Sequence, residues 1–275
     1  MALTNEELVR ELNGQTWTSH NIRLGPELTT LPGRPDFETD LRLRAIVRFL
    51  TATYRGKLAG LRVADLGSLE GGFSLALAQR NMDVTGIEAR RKNLEKAQLI
   101  KKHFGLPRLE FVLDDVKNFS REKYGMFDVV LALGILYHLD APASWLDQIS
   151  KATKNVLVIE SHYAPQDDEG VGRLDERLRN LGPLKQEEHH GEIYEGRWYF
   201  EYGSEHDREN QLWASYSNRS SFWLTKESLL RATRNAGFDL VFEQHDYSID
   251  SYKFHTETFS RGLFCALRSE SFRRD

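Results

Sequence analysis

The sequence predicts an α/β protein with a mostly parallel sheet, and three observations carry that reading. Short apolar runs alternate with stretches of helical period. A glycine-rich turn, with Gly67, Gly71 and Gly72, follows the first of the core runs. An acid, Glu88, closes the second, Asp83 to Glu88. Successive strand–helix–strand units close by right-handed crossovers, which leaves their strands parallel.

In chain order, residues 1–40 read as a short helix and then a turn-rich segment with Pro26, Pro32, Gly33 and Pro35. Asp40 to Tyr54 reads as an amphipathic helix, with Leu43, Ile46, Val47 and Leu50 on one side. Strands are expected at 61–66, 83–88, 109–113, 127–133 and 154–160. A helix starts near Phe73, and in the next one Leu94, Ala97, Ile100 and Phe104 recur at helical spacing and should face the sheet. Ser221 to Gly237 reads as a further helix, capped by Thr225 and ended by Gly237. Phe238 to His245 and Gly262 to Leu267 complete a set of seven strands. The stretch 161–220 exceeds an ordinary connection, since loops beyond about 15 residues are mostly functional or disordered. Trp198, Tyr199, Phe200, Tyr202, Trp213 and Tyr216 make it too aromatic for disorder.

The turn after the first strand carries most of the functional information. Gly67 permits the sharp exit from the strand, because glycine adopts positive φ without a Cβ clash. Gly71 and Gly72 allow close approach where a helix begins. Glu88 follows Gly67 by 21 positions, near the offset of about 20 residues expected of a ribose-binding acid. A carboxylate there accepts hydrogen bonds from both ribose hydroxyls and repels a 2′-phosphate. In the dinucleotide pattern a second glycine brings the backbone against a pyrophosphate. Leu69 stands at that position here, which suits a ligand without phosphate.

Asp65-Leu66-Gly67-x-x-x-Gly71, with Glu88 after it, resembles the first two motifs of class I S-adenosylmethionine-dependent methyltransferases. Phe111 to Val116 resembles the motif whose acid, here Asp115, contacts the adenine amino group. Phe127 to Leu139 is similar to the fourth strand and its loop, and Lys154 to Glu160 to the fifth strand. The likeness covers roughly residues 40 to 160, with a weaker tail from 222, and Leu69 departs from the usual small residue. It implies a Rossmann-like seven-stranded sheet, mostly parallel with an antiparallel last strand. It also implies S-adenosyl-L-methionine as cofactor and S-adenosyl-L-homocysteine as product. Gly67, Ser68 and Gly71 would cradle the methionine part, Glu88 the ribose and Asp115 the adenine, with the Leu133 backbone near the sulfonium. Asp65, Ala89 and Val116 flank these positions and are counted with them. The expected organisation is an N-terminal lid segment (1–40), a cofactor-binding core (41–160), an inserted substrate cap (161–220) and the C-terminal part of the core (221–275). The Trp17 to Gly25 segment and Leu136-Tyr137-His138 are similar to a subgroup that finishes the tRNA wobble-uridine oxyacetate modification.

Composition narrows the partners. A net charge of −4 removes the generic basic footprint of a nucleic-acid binder. Arg90-Arg91-Lys92 and Lys101-Lys102-His103 flank a helix and read as a solvated face. No apolar run approaches the roughly 20 residues of a membrane helix, and no signal peptide is evident, so a cytoplasmic enzyme is expected. The single cysteine, Cys265, reads as inert core. The expected partner is a small-molecule acceptor, and the insert's aromatics could also serve a homodimer.

Methyl transfer from a sulfonium is an in-line displacement, so positioning supplies much of the rate, about 7–11 kcal/mol when orientation is good. For a hydroxyl or ammonium acceptor a general base adds roughly 10²–10⁴-fold. His138, just beyond strand four, is the first choice for that base, at the carboxyl edge of the sheet where ligands bind. The competing role is structural, with the ring bonded to a backbone carbonyl. His162, after strand five, is the second choice, and Tyr137 reads as a packing residue. His189-His190-x-Glu192 with His206 and Asp207 offers metal-ligand types, but the spacing matches no specific signature and no metal is assigned. Three other readings compete: an RNA-modifying methyltransferase, a NAD-dependent oxidoreductase, and a non-catalytic module that keeps only the cofactor fold. A steep loss of affinity with salt marks the first, and Leu69 argues against the second.

Overall fold

The computed structural model describes residues 4–201, 211–212, 214–244 and 258–272. The expected Tyr202, His206, Asp207, Trp213 and His245 lie outside the described residues. Seven strands form one sheet in the order β3-β2-β1-β4-β5-β10-β9, and a second sheet has the order β6-β7-β8. The chain divides into two compact units, 1–116 and 117–275.

In the first unit, helix α1 (Asn5–Asn13) begins with a reciprocal cap between Thr4 and Glu7. Helix α2 (Leu41–Thr53) is capped by Asp40, whose side chain accepts from the Arg42 and Leu43 amides. Strands β1 (Arg62–Leu66), β2 (Asp83–Glu88) and β3 (Leu109–Leu113) pair in parallel, so β2 lies between the other two. Helices α3 (Gly72–Ala78) and α4 (Arg91–Phe104) follow β1 and β2. Every residue of α3 is buried. Leu94, Ala97 and Ile100 form the buried stripe of α4, as their spacing predicts, while Phe104, expected with them, is half-buried. Full burial of a leucine or isoleucine such as Leu94 or Ile100 stabilises by about 1.5–3 kcal/mol.

In the second unit a short helix α5 (Arg121–Tyr124) precedes β4 (Phe127–Leu133). Helix α6 (Pro142–Ser150) links β4 to its parallel neighbour β5 (Thr153–His162). After α7 (Asp168–Arg173), the long insert folds into a hairpin, β6 (Leu181–His189) and β7 (Glu192–Phe200). Strand β8 (Ser220–Leu224) adds antiparallel to β7. Helix α8 (Lys226–Asn235), β9 (Leu240–Glu243) and β10 (Arg261–Leu267) close the chain. The last strand, β10, runs antiparallel to both β5 and β9, as expected. Cys265 is buried in it, and burial pushes its thiol up to about 12.

Strand β9 starts at Leu240 rather than Phe238, several ends move by one residue, and two further boundaries move for a reason the pairing shows. The helix foreseen from Ser221 starts only at Lys226, because Phe222, Trp223 and Leu224 are buried as a strand edge paired with Trp198, Arg197 and Gly196. Aromatic residues favour that pleated setting, and Thr225, whose side chain accepts from the Ser228 amide, caps the helix there. Strand five reaches His162, since its last residues pair with Arg261 and Gly262 of β10.

Glu70 and Lys96 form an ion pair at 3.2 Å, with both side chains essentially inaccessible to solvent. Removing one partner of such a pair strands the other charge, at about 3–5 kcal/mol. Glu70→Gln leaves Lys96 as an uncompensated buried charge and turns an amide donor against the Thr18–His20 amides, so it should lower the unfolding free energy by at least about 3 kcal/mol; Lys96→Met, which leaves Glu70 its Thr18, Ser19 and His20 donors, should cost less. Urea denaturation of the three proteins checks this.

Candidate active site

The first unit holds the residues expected to bind a nucleoside. Gly67 has φ +73°, and Gly71 has φ +79° at the N-terminus of α3. A Cβ on Gly71 would stand 2.6 Å from Phe111 Cζ, so the loop has no room for a side chain there. Leu69 itself adopts φ +52°, a left-handed conformation that disfavours bulky residues. Its amide donates to Glu88 Oε2 at 2.9 Å, while the Arg90 amide donates to Oε1 at 2.8 Å. Glu88 is 5% exposed, and burial raises its carboxyl above the usual range against the opposing pull of those two amides. The Asn93 side chain also hydrogen-bonds Glu88 and lowers its pKa. Of the roughly four lone-pair sites of a carboxylate, these three donors leave about one. Ser68 Oγ is buried without a hydrogen-bond partner among the described residues. Asp65 turns instead toward α3, accepting from Ser74 Oγ at 2.6 Å, and burial pushes its carboxyl up to about 6. Ala89 follows Glu88 at the end of β2, and Asp115 and Val116 follow β3, with Val116 buried.

Glu70, inside the same loop, anchors the candidate site and was passed over in the sequence reading. Its carboxylate accepts from the amides of Thr18, Ser19 and His20, from Thr18 Oγ1 and from Lys96. Burial alone would raise its pKa, but the His20 amide, His20 and Lys96 hold it below the usual carboxylate range. His20 in turn accepts the Gly72 amide on Nδ1 at 3.0 Å. Its ring packs between Phe37 and Phe73, with centroids 4.6 and 5.6 Å away. The Trp17–His20 segment is thus clamped to the glycine loop. The only sequence signal was an acid among glycines facing a lysine on the next helix.

The second unit gathers the candidate bases at the carboxyl ends of β4 and β5. Leu133 ends β4 opposite Glu160 of β5. His138 closes a 3-10 turn, Leu136–His138, and its Nδ1 lies 2.8 Å from Glu201 Oε1. Glu201 also accepts from Ser221 Oγ at 2.5 Å. Burial would raise Glu201, yet the neighbouring His138 and these hydrogen bonds hold it below the usual range. An ionised carboxylate only accepts, so Nδ1 carries a proton, and in the neutral ring the lone pair then lies on Nε2. Sequence reasoning missed Glu201, which lies 63 positions away. His162 is placed differently: Nδ1 bonds the Phe259 carbonyl at 2.7 Å and the ring stacks on Trp223 at 4.9 Å. Burial, reinforced by Arg261, pushes it down to about 3. Tyr137 packs edge-on against His162 and lies beside His138, at 4.6 and 4.3 Å. The Trp223 indole nitrogen is buried with no hydrogen-bond partner among the described residues.

The family model described as a methyltransferase domain matches residues 57–207, more than half of the chain. The chain belongs to the methyltransferase-domain family. That agrees with the enzyme class and the S-adenosylmethionine cofactor expected from the sequence. A ubiquinone biosynthesis O-methyltransferase of Leptothrix cholodnii is 34% identical over 99 residues, which cover 36% of this chain and 42% of that protein. One from Pseudomonas aeruginosa is 37% identical over 90 residues, 33% of this chain and 38% of that one. The chain thus spans about two-fifths of the length of the curated relatives it matches. Among solved structures, the N-terminal domain of EvdMO1, crystallised with S-adenosylhomocysteine and D-fucose, has the same fold. It superposes with TM-score 0.70 at 21% identity over 97% of each chain. Magnesium protoporphyrin IX methyltransferase of Synechocystis gives TM-score 0.51 at 17% identity, over 82% of this chain and 81% of that one. No helix among the described residues is long and apolar enough to cross a membrane.

His20 gives the first unit an acid sensitivity. Burial, partly opposed by Glu70, pushes it down to about 4 from 6.5. Below the unfolded value the denatured chain takes a proton that the native chain refuses, so stability falls as pH falls toward the folded value. Between pH about 7 and about 5 the loss should be about 2 kcal/mol. In denaturant melts at the two pH values, His20→Asn should show a correspondingly smaller drop than the unsubstituted protein.

Proposed function

We propose that this chain transfers a methyl group from S-adenosylmethionine to an oxygen of a small-molecule acceptor, with His138 as general base. The observation that carries it is the His138–Glu201 hydrogen bond at 2.8 Å, which fixes the ring and leaves Nε2 as proton acceptor. When bound, S-adenosylmethionine supplies an electrophilic methyl on sulfur. Glu88 receives a ribose hydroxyl on the lone pair that Leu69, Arg90 and Asn93 leave, and Ser68 Oγ supplies a further hydrogen bond to the ligand. Gly67 and Gly71 set the loop, with Asp115, Val116 and Ala89 at the adenine end and Leu133 offering its backbone. As the acceptor hydroxyl attacks, its proton passes to His138 Nε2, and the positive charge formed is held by Glu201. His162, neutral and stacked on Trp223, shapes the acceptor side rather than taking a proton. Residues 1–40 serve as cover for the cofactor end, a role supported by the clamp from Thr18–His20 to Glu70. The 161–220 insert serves as the acceptor cap. The names of the partial relatives support oxygen as the methylated atom.

Two measurements test this reading. Calorimetry with S-adenosylhomocysteine should show Glu88→Ala binding at least about 100-fold more weakly, near 3 kcal/mol; unchanged affinity removes Glu88 from the site. Incubation of cell extract with isotope-labelled cofactor identifies the acceptor by mass spectrometry. With that acceptor, His138→Ala should lose about 10²–10⁴ in kcat while keeping its affinity for S-adenosylhomocysteine. Glu201→Gln should lose less and shift the pH profile. Equal turnover of His138→Ala and the unsubstituted enzyme at every pH rules out His138 as base. Label appearing in ribonuclease-sensitive product would turn the acceptor from a small molecule to RNA.

A further inference from the structure

We propose that Asp147, His189 and His190 form a binding site for a zinc-like divalent ion that fastens the β6–β7 hairpin to helix α6. His190 and Gly191 make up the two-residue turn of that hairpin, with φ of +52° and +78°. Both values are left-handed, the requirement of a type I′ turn, where Asn-Gly is the ordinary choice. Successive side chains on a strand point to opposite faces. The left-handed turn at His190 cancels that divergence and brings its ring beside that of His189, with centroids 4.0 Å apart.

Both rings then aim Nε2 at one carboxylate. Asp147 Oδ2 on α6 lies 3.9 Å from His189 Nε2 and 3.6 Å from His190 Nε2. One ligand atom from each of the three residues falls within 4.8 Å of the other two. Nitrogen and oxygen ligands about 2.0–2.1 Å from a tetrahedral ion are roughly 3.4 Å apart, so the two histidine–carboxylate distances close by a few tenths of an ångström, while the widest pair of ligand atoms, up to 4.8 Å apart, closes by a side-chain rotation of about an ångström. His189 Nε2 is buried and has no hydrogen-bond partner among the described residues. Leaving such an atom unmatched is costly, and a metal bond satisfies it. Lys151 donates to Asp147 Oδ2 at 2.9 Å, but its side chain is 65% exposed and free to swing into water. The three residues and Glu192 line a depression of about 250 Å³, with room for water as a fourth ligand. Two imidazoles and one carboxylate select zinc-like ions over magnesium or calcium. The sequence pairing of His189 and His190 with Glu192, His206 and Asp207 did not point to Asp147.

The test uses untagged full-length protein washed with chelator. Titration with zinc chloride in a calorimeter should show one ion bound per chain and a raised melting temperature, with no response to magnesium. His190→Asn keeps the left-handed turn while removing Nε2, and should bind zinc at least 10-fold more weakly, as should Asp147→Asn. Melting temperatures without metal should stay close to that of the unsubstituted chain for His190→Asn, which separates ligand loss from misfolding. Failure of the unsubstituted protein to bind zinc, or equal affinity in all three proteins, overturns the proposal. The outcome does not depend on the methyl-transfer reading.

Discussion

An ionised carboxylate enclosed by protein must be surrounded by donors, and Glu70 shows what that demand organises. Five hydrogen bonds converge on it, three from consecutive backbone amides of the N-terminal segment and one from a lysine that is itself inaccessible. Satisfying this one charge determines where residues 17–20 run. It also positions His20, whose ring nitrogen takes the Gly72 amide at the start of α3. The path of the glycine loop and the N-terminal segment are therefore one electrostatic problem with one solution.

The same economy appears at Glu88. A residue expected to serve only a ligand also holds the left-handed Leu69 by its amide. Glycine would adopt that backbone without help; leucine needs the hydrogen bond and its surroundings to offset the strain. In the second unit, Glu201 gives His138 a defined tautomer, while a backbone carbonyl and a stacked indole do the same for His162. The difference between the two histidines is one of partners. A carboxylate beside a ring can share the positive charge that proton uptake creates, and a carbonyl within an aromatic stack does so far less.

Much of the frame was legible in the chain. Strands β2, β3 and β4 coincide with their apolar runs, and Thr225 caps the helix it was expected to cap, while Asp40, read as the first residue of its helix, caps it. Periodicity, caps and glycine turns are local, so local sequence reports them. The beginning of α8 was misread because Ser221 to Leu224 carries no decisive periodicity of its own. Its strand conformation comes from pairing with β7, whose partners lie more than twenty positions earlier.

From its residues alone, the chain declares its sheet, its glycine turn and the acid that follows, because each depends on neighbours within a few turns or on a fixed offset. The partners of Glu70, the coupling of Glu201 to His138 and the meeting of two adjacent histidines with Asp147 depend on contacts between residues from 26 to 63 positions apart. No local preference encodes such contacts. They arise when burial removes water and obliges each charged or polar group to find a protein partner.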